Sequence, residues 1–165
     1  MDNEKNYNST NAAALIERQS GTVYRLALSY MKNKNDAEDV MQDVFLKYVK
    51  KERNFESPEH EKAWFIRVTI NTAKTFFARK RSDVALDEIA ELESADTPQR
   101  ELSVLDAVNS LPKKQRVCTH LFYYEDYSVK EIAHALSIPE STVKSHLRRA
   151  RASLKEKLKG ANFDE

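Results

Sequence analysis

The sequence predicts an all-α protein: two small helical domains joined by an acidic linker, the C-terminal one a helix-turn-helix. Apolar residues recur at helical spacing along most of the chain, and no stretch alternates long enough to make a strand. The 165 residues include only 2 glycines, which excludes Gly-rich phosphate loops and runs of tight β-turns. Hydrophobic residues make up 41% and charged residues 32%, enough for a core but with a charge share that suits exposed helices. The length fits one ordinary domain or two small ones.

The first helix is expected from about Ala12 to Lys32, with Ile16, Val23, Leu26, Ala27 and Tyr30 on one side. Asn35 is the expected N-cap of the second, with Glu38 three residues on to close a capping box. Asp36, Glu38 and Asp39 in the first turn suit the helix dipole. Ala37, Val40, Met41, Val44, Phe45 and Tyr48 then form an amphipathic stripe. Residues 51–57 read as a loop. Ser57 followed by Pro58 signals an N-cap and first turn, and a third helix from Pro58 to about Lys80 packs through Phe65, Val68, Thr69, Thr72 and Phe76. Four more helical segments follow: Glu101–Ser110, Lys113–Tyr124, Val129–Leu136 and Pro139–Leu158.

Charge divides the chain more sharply than its net value of +1 indicates. Residues 1–81 carry +4, residues 82–110 carry −7 and residues 111–165 carry +4. Both ends suit a polyanion, and the middle is repelled by one. The expected domains are therefore 1–81 and 101–165, with an acidic linker over 82–100 that has room for a short helix at Val84–Leu92.

Several function classes drop out. One cysteine cannot form an intramolecular disulfide or a Cys-clustered metal site, and the four histidines are scattered. No Ser/His/Asp or Cys/His arrangement offers a nucleophile. The expectation is a protein that is not an enzyme and needs no cofactor or metal. No apolar run approaches a membrane span and Met1–Thr10 is polar, so a cytoplasmic location is expected.

The segment SVKEIAHALSIPESTVKSHLRRAR, 128–151, carries the clearest motif. Ser128 and Glu131 make an S-x-x-E capping box, and Val129, Ile132, Ala133 and Leu136 form one buried stripe. Ser137-Ile138-Pro139 interrupts, with Ser137 where such turns often carry Gly. On the next helix Val143, Leu147, Ala150, Leu154 and Leu158 face inward. Ser141, Ser145, Arg148 and Arg149 face outward, with Lys144 at the edge. Packing on one side and donors on the other is what a helix entering the major groove requires.

Two further faces are candidates. On the second helix Asp39, Gln42, Asp43 and Leu46 lie opposite the apolar stripe, which by spacing alone is a solvated acidic face. On the third, Arg67, Asn71, Lys74 and Arg81 share a face flanked by Trp64 and ended by Arg79 and Lys80. Cations interleaved with an aromatic suit single-stranded nucleic acid.

Three segments together resemble the extracytoplasmic-function sigma factors of bacterial RNA polymerase: DAEDVMQDVFLK (36–47), AWFIRVTINTAKTFFARKR (63–81) and the stretch from Leu111 to Leu158. The resemblance implies that Asp39, Gln42, Asp43 and Leu46 bind core polymerase, replacing the solvated-face reading. It implies that Arg67, Asn71 and Lys74 meet the melted −10 element, and that the loop around Phe55–Glu61 accepts an extruded base. Ser141, Lys144, Ser145, Arg148 and Arg149 would read the −35 element. Lys74 stands where an acidic residue is common, and His146 where a basic one is. Core RNA polymerase, promoter DNA and an anti-sigma factor are the implied partners. A stand-alone helix-turn-helix regulator of duplex DNA is the alternative.

Overall fold

The structure is a computed structural model that describes residues 12–51, 53–84 and 104–159, with only the backbone of 81–84. The described residues form seven helices and no strand. Residue contacts divide the chain into two units, Met1–Phe77 and Ala78–Glu165. The greater part of the expected linker, 85–100 with its optional helix, lies outside the described residues.

In the first unit α1 spans Ala12–Met31 and α2 Lys34–Lys51, and α3, Pro58–Val84, begins there and continues past Phe77. Lys32 ends α1 in the left-handed region at φ 63°, and its N–H still reaches Leu28 O at 2.9 Å. The cap of α2 is then Asn33, not Asn35. Asn33 Oδ1 accepts from Asp36 N at 2.8 Å, and Asn33 Nδ2 donates to Asp36 Oδ2 at 2.8 Å. A side-chain cap is available two residues earlier, with the Asn33 amide rather than the backbone N–H donating to the Asp36 carboxylate, and the sharp end of α1 puts it there. Ser57 caps α3 as expected, its Oγ accepting from His60 N at 3.1 Å.

α1 and α2 pack along their length through Leu15, Val23, Leu26, Ala27, Val40 and Val44. α3 joins them through two kinds of contact. Phe65 meets the rings of Phe45 and Tyr48 at 5.6 and 5.5 Å. Glu61, 1% exposed, takes Arg18 Nε and Nη2 at 2.8 Å each and Gln19 Nε2 at 2.7 Å. Coverage from two sides widens the buried stripe of α3 to include Ile66, Ile70 and Ala73 beside Phe65, Thr69 and Thr72. Val68 and Phe76, expected inside, are half-buried. The helix also runs four residues past Lys80, since no Gly or Pro interrupts Ala78–Val84.

In the second unit α4 spans Val104–Asn109, α5 Lys113–Tyr123, α6 Val129–Leu136 and α7 Glu140–Leu158. α4, α5 and α6 all pack on α7. The core gathers Leu111, Val117, Cys118, Leu121, Ile132, Leu136, Val143 and Leu147. Arg116, also buried, donates through Nη1 to Leu111 O at 2.8 Å and so fixes the α4–α5 turn; burial lowers its pKa to about 10. Cys118 is a core residue whose thiol is pushed up to about 11 by burial. Leu154 and Leu158 are half-buried, because the helices on α7 are shorter than α7 itself.

The α6–α7 turn follows the sequence closely. Glu131 N donates to Ser128 Oγ at 3.1 Å, and Ser128 N to Glu131 Oε1 at 3.4 Å. Ser137 is left-handed, at φ 56° and ψ 46°. Ile138 N reaches back to Ala133 O at 3.0 Å, closing the end of α6 without a glycine.

Candidate nucleic-acid interface

α7 carries a buried stripe on one side and an exposed surface on the other. Val143, Leu147 and Ala150 are buried, whereas Ser141, Lys144, Arg148 and Arg149 are exposed and Ser145 is half-exposed. All five outward residues named from the sequence therefore share one accessible surface. Arg151, next in the basic cluster, is engaged elsewhere. Its Nε donates to Tyr123 Oη at 2.8 Å, and its guanidinium lies 5.5 Å from the Phe122 ring and 5.9 Å from that of Tyr123. This residue ties α7 to α5.

On α3, Arg67, Asn71, Lys74, Arg79 and Lys80 are exposed, and the side chain of Arg81 lies outside the described residues. Trp64 is half-buried at the edge of an aromatic cluster. It stands edge-on to Phe65 at 4.9 Å and tilted on Phe55 at 5.8 Å, and Phe55 itself stacks on Tyr48. Arg53 lies over the indole at 5.6 Å. Sequence reading missed Arg53, because a loop residue has no periodicity to place it over a ring eleven positions on.

On α2, Asp39, Gln42, Asp43 and Leu46 are exposed. A groove of about 600 Å³ runs beside them, lined by Ile16, Glu38, Asp39, Met41, Gln42, Phe45, Leu46 and Val49. Leu46 is 50% and Val49 54% exposed, so the acidic face carries an apolar floor. Lys47 on the next edge donates to Thr72 Oγ1 at 2.8 Å and links α2 to the middle of α3.

Comparison with known proteins decides what these faces belong to. Residues 15–83 match sigma-70 region 2, and residues 101–154 match sigma-70, region 4. The chain is 32% identical over 130 residues to the RNA polymerase sigma factor SigV of Bacillus subtilis, covering 77% of this chain and 78% of that one. It belongs to the extracytoplasmic-function sigma factors. The ECF RNA polymerase sigma-E factor of Haemophilus influenzae is 28% identical over 162 residues, with 87% and 85% covered. The fold is that of the sigma factor RpoE solved with the anti-sigma factor NepR from Bartonella quintana. That match has a TM-score of 0.68 at 22% identity, over 90% of this chain and 94% of that one. Sigma factors are initiation factors for promoter recognition. The two matched regions contain α1–α3 and α4–α7 respectively, apart from the first residues of α1 and the last of α3 and α7.

Proposed function

We propose that this sigma factor divides its work between two domains, residues 1–81 holding core polymerase and the −10 element and residues 101–165 the −35 element, joined by the acidic stretch 82–100. The clean separation of α7 into a buried stripe and an exposed basic face carries this reading. A helix so arranged offers Lys144, Ser145, Arg148 and Arg149, with Ser141, to the major groove. One of the two arginines meets a base edge and the other a phosphate.

On α3, Trp64, Arg67, Asn71, Lys74, Arg79, Lys80 and Arg81 meet the unpaired −10 strand, the cations on its backbone and the indole beside its bases. On α2, Asp39, Gln42, Asp43 and Leu46 grip core polymerase through charge around an apolar centre. An anti-sigma factor is a further partner, since the similar solved sigma factor RpoE was captured with the anti-sigma factor NepR. Such a protein works in the cytoplasm without chemistry or cofactor of its own; among the described residues no helix is long and apolar enough to cross a membrane.

The test is reconstitution. The purified chain added to core polymerase starts transcripts at defined sites. Duplex binding with neither polymerase binding nor single-strand preference would show a stand-alone regulator instead.

A further inference from the structure

We propose that Arg53 and Trp64 form a slot for one unpaired base of the −10 strand, with the guanidinium as one wall and the indole as the other. The proposal rests on the reading of α3 as the face for that strand. It adds a residue from outside α3 and says which ring of the aromatic cluster takes the base.

Four rings gather where α2 ends and α3 begins: Tyr48, Phe55, Trp64 and Phe65. Three of them are buried and committed to one another. Phe55, in the loop before α3, stacks on Tyr48 at 6.2 Å and meets Phe65 at 6.1 Å, with His60 edge-on at 5.5 Å. Only Trp64 of the four is half-buried. None of the other three lies parallel to its indole; Tyr48, Phe55 and Phe65 cross it at 66°, 56° and 85°. The group over the indole face is the Arg53 guanidinium, 5.6 Å from the ring centre. Arg53 is exposed, stands between the end of α2 at Lys51 and the start of α3 at Pro58, and makes no ion pair with a described residue.

A cation over an accessible ring is held weakly. A base stacked on such a ring gains more, and every base has a face to offer. The base therefore takes the indole. The guanidinium, planar and weakly hydrated, stacks on the base's other side. Two contact layers of about 3.5–4.0 Å each put the guanidinium about 7–8 Å from the indole, so Arg53 moves outward by about 2 Å. A loop residue makes that shift without disturbing either helix. Its charge then lies beside the phosphates that flank the base. Arg67, one turn along α3 from Trp64, is exposed on neighbouring surface and meets the same backbone. A lysine at position 53 would keep the charge and lose the flat wall.

Anisotropy titration of the full chain tests this, with a labelled thymidine strand of about eight nucleotides and an abasic strand of equal length and charge. Wild type binds the thymidine strand about tenfold more tightly than the abasic one. The emission of Trp64, the 1 tryptophan of the chain, is quenched by the first strand and not by the second. Arg53→Lys keeps the abasic affinity and loses about fivefold on the thymidine strand. Arg53→Ala weakens both strands and flattens the salt slope by about 0.7. Circular dichroism verifies that each variant is folded. Arg53→Lys binding and quenching as wild type does overturns the slot, as does equal wild-type affinity for the two strands or unchanged indole emission. Arg67→Ala separates the two readings, since it removes a backbone contact of α3 and leaves the slot. If Arg67→Ala weakens both strands while Arg53→Lys changes neither, α3 holds the strand and the slot falls. If the base preference depends on Arg53 while Arg67→Ala changes neither strand, the slot stands and the backbone role of α3 falls. If no strand binds, both readings fall.

Discussion

Removing Arg18 is expected to damage the first unit more than neutralising the carboxylate it pairs with. Glu61 is 1% exposed and receives both arms of Arg18, whose side chain is 37% exposed. In Glu61→Gln the hydrogen-bonding volume persists and Arg18 turns to nearby water, so the loss is about 1–2 kcal/mol. In Arg18→Ala a buried carboxylate is left without that cation. Such a loss runs to about 3–5 kcal/mol for a fully buried pair; Arg18's exposure and the remaining Gln19 contact discount it to about 3 kcal/mol. For a unit of this size that lowers the melting midpoint by roughly 15 °C. The chain has 1 tryptophan, Trp64 on α3, so indole emission during thermal unfolding follows this unit alone. The sign of the pH dependence is a second check. The stranded carboxylate is relieved by protonation, so the deficit of Arg18→Ala shrinks as pH falls. An Arg18→Ala loss below about 1 kcal/mol, or no larger than that of Glu61→Gln, would refute the reasoning and place the brace among screened surface pairs.

Other outcomes follow from the same structure. Asp39→Arg with Asp43→Arg reverses charge on an exposed face, so pull-down with core polymerase is lost while circular dichroism is unchanged. Arg148→Ala and Arg149→Ala both fold; one relaxes specificity at a single base pair by about 1–3 kcal/mol, and the other weakens all duplexes alike and reduces the salt slope by about one charge. Cys118, fully buried with its thiol pushed up to about 11, reacts with a disulfide reagent only when the second unit opens, so its labelling rate follows unfolding of that unit. Ser137→Gly removes a side chain from a left-handed turn and stabilises the second unit by about 1 kcal/mol, measured by denaturant midpoint.

What could be read from the sequence was local. The Ser128–Glu131 box and left-handed Ser137 lie within ten residues of one another, and the sequence around them specifies them. The inward and outward sides of α7 follow from the helical period, and all five of its named residues share the accessible side. Asn33 displaced Asn35 because two adequate caps stood two residues apart and the end of α1 chose between them. Contacts across distance were illegible. Arg18 and Glu61 are 43 positions apart, and only tertiary packing brings them together. Arg53 over Trp64 belongs to the same class. The acidic face of α2 acquired a meaning from family resemblance that its spacing alone did not supply.

Lys32, Asp126 and Ser137 all adopt positive φ, and none is glycine. Each sits at a helix end or in a turn, where a glycine is the cheaper residue by about 1 kcal/mol. Among the described residues there are therefore three single-substitution routes to greater stability, none of them on α7 itself. A protein near its stability threshold tolerates a new reading residue only when slack is available. Lys32 offers slack to the first unit, and Asp126 and Ser137 offer it to the second. Each unit can thus acquire tolerance for changed promoter preference separately, and a selection for altered specificity should enrich glycine at the turn of whichever unit is being changed.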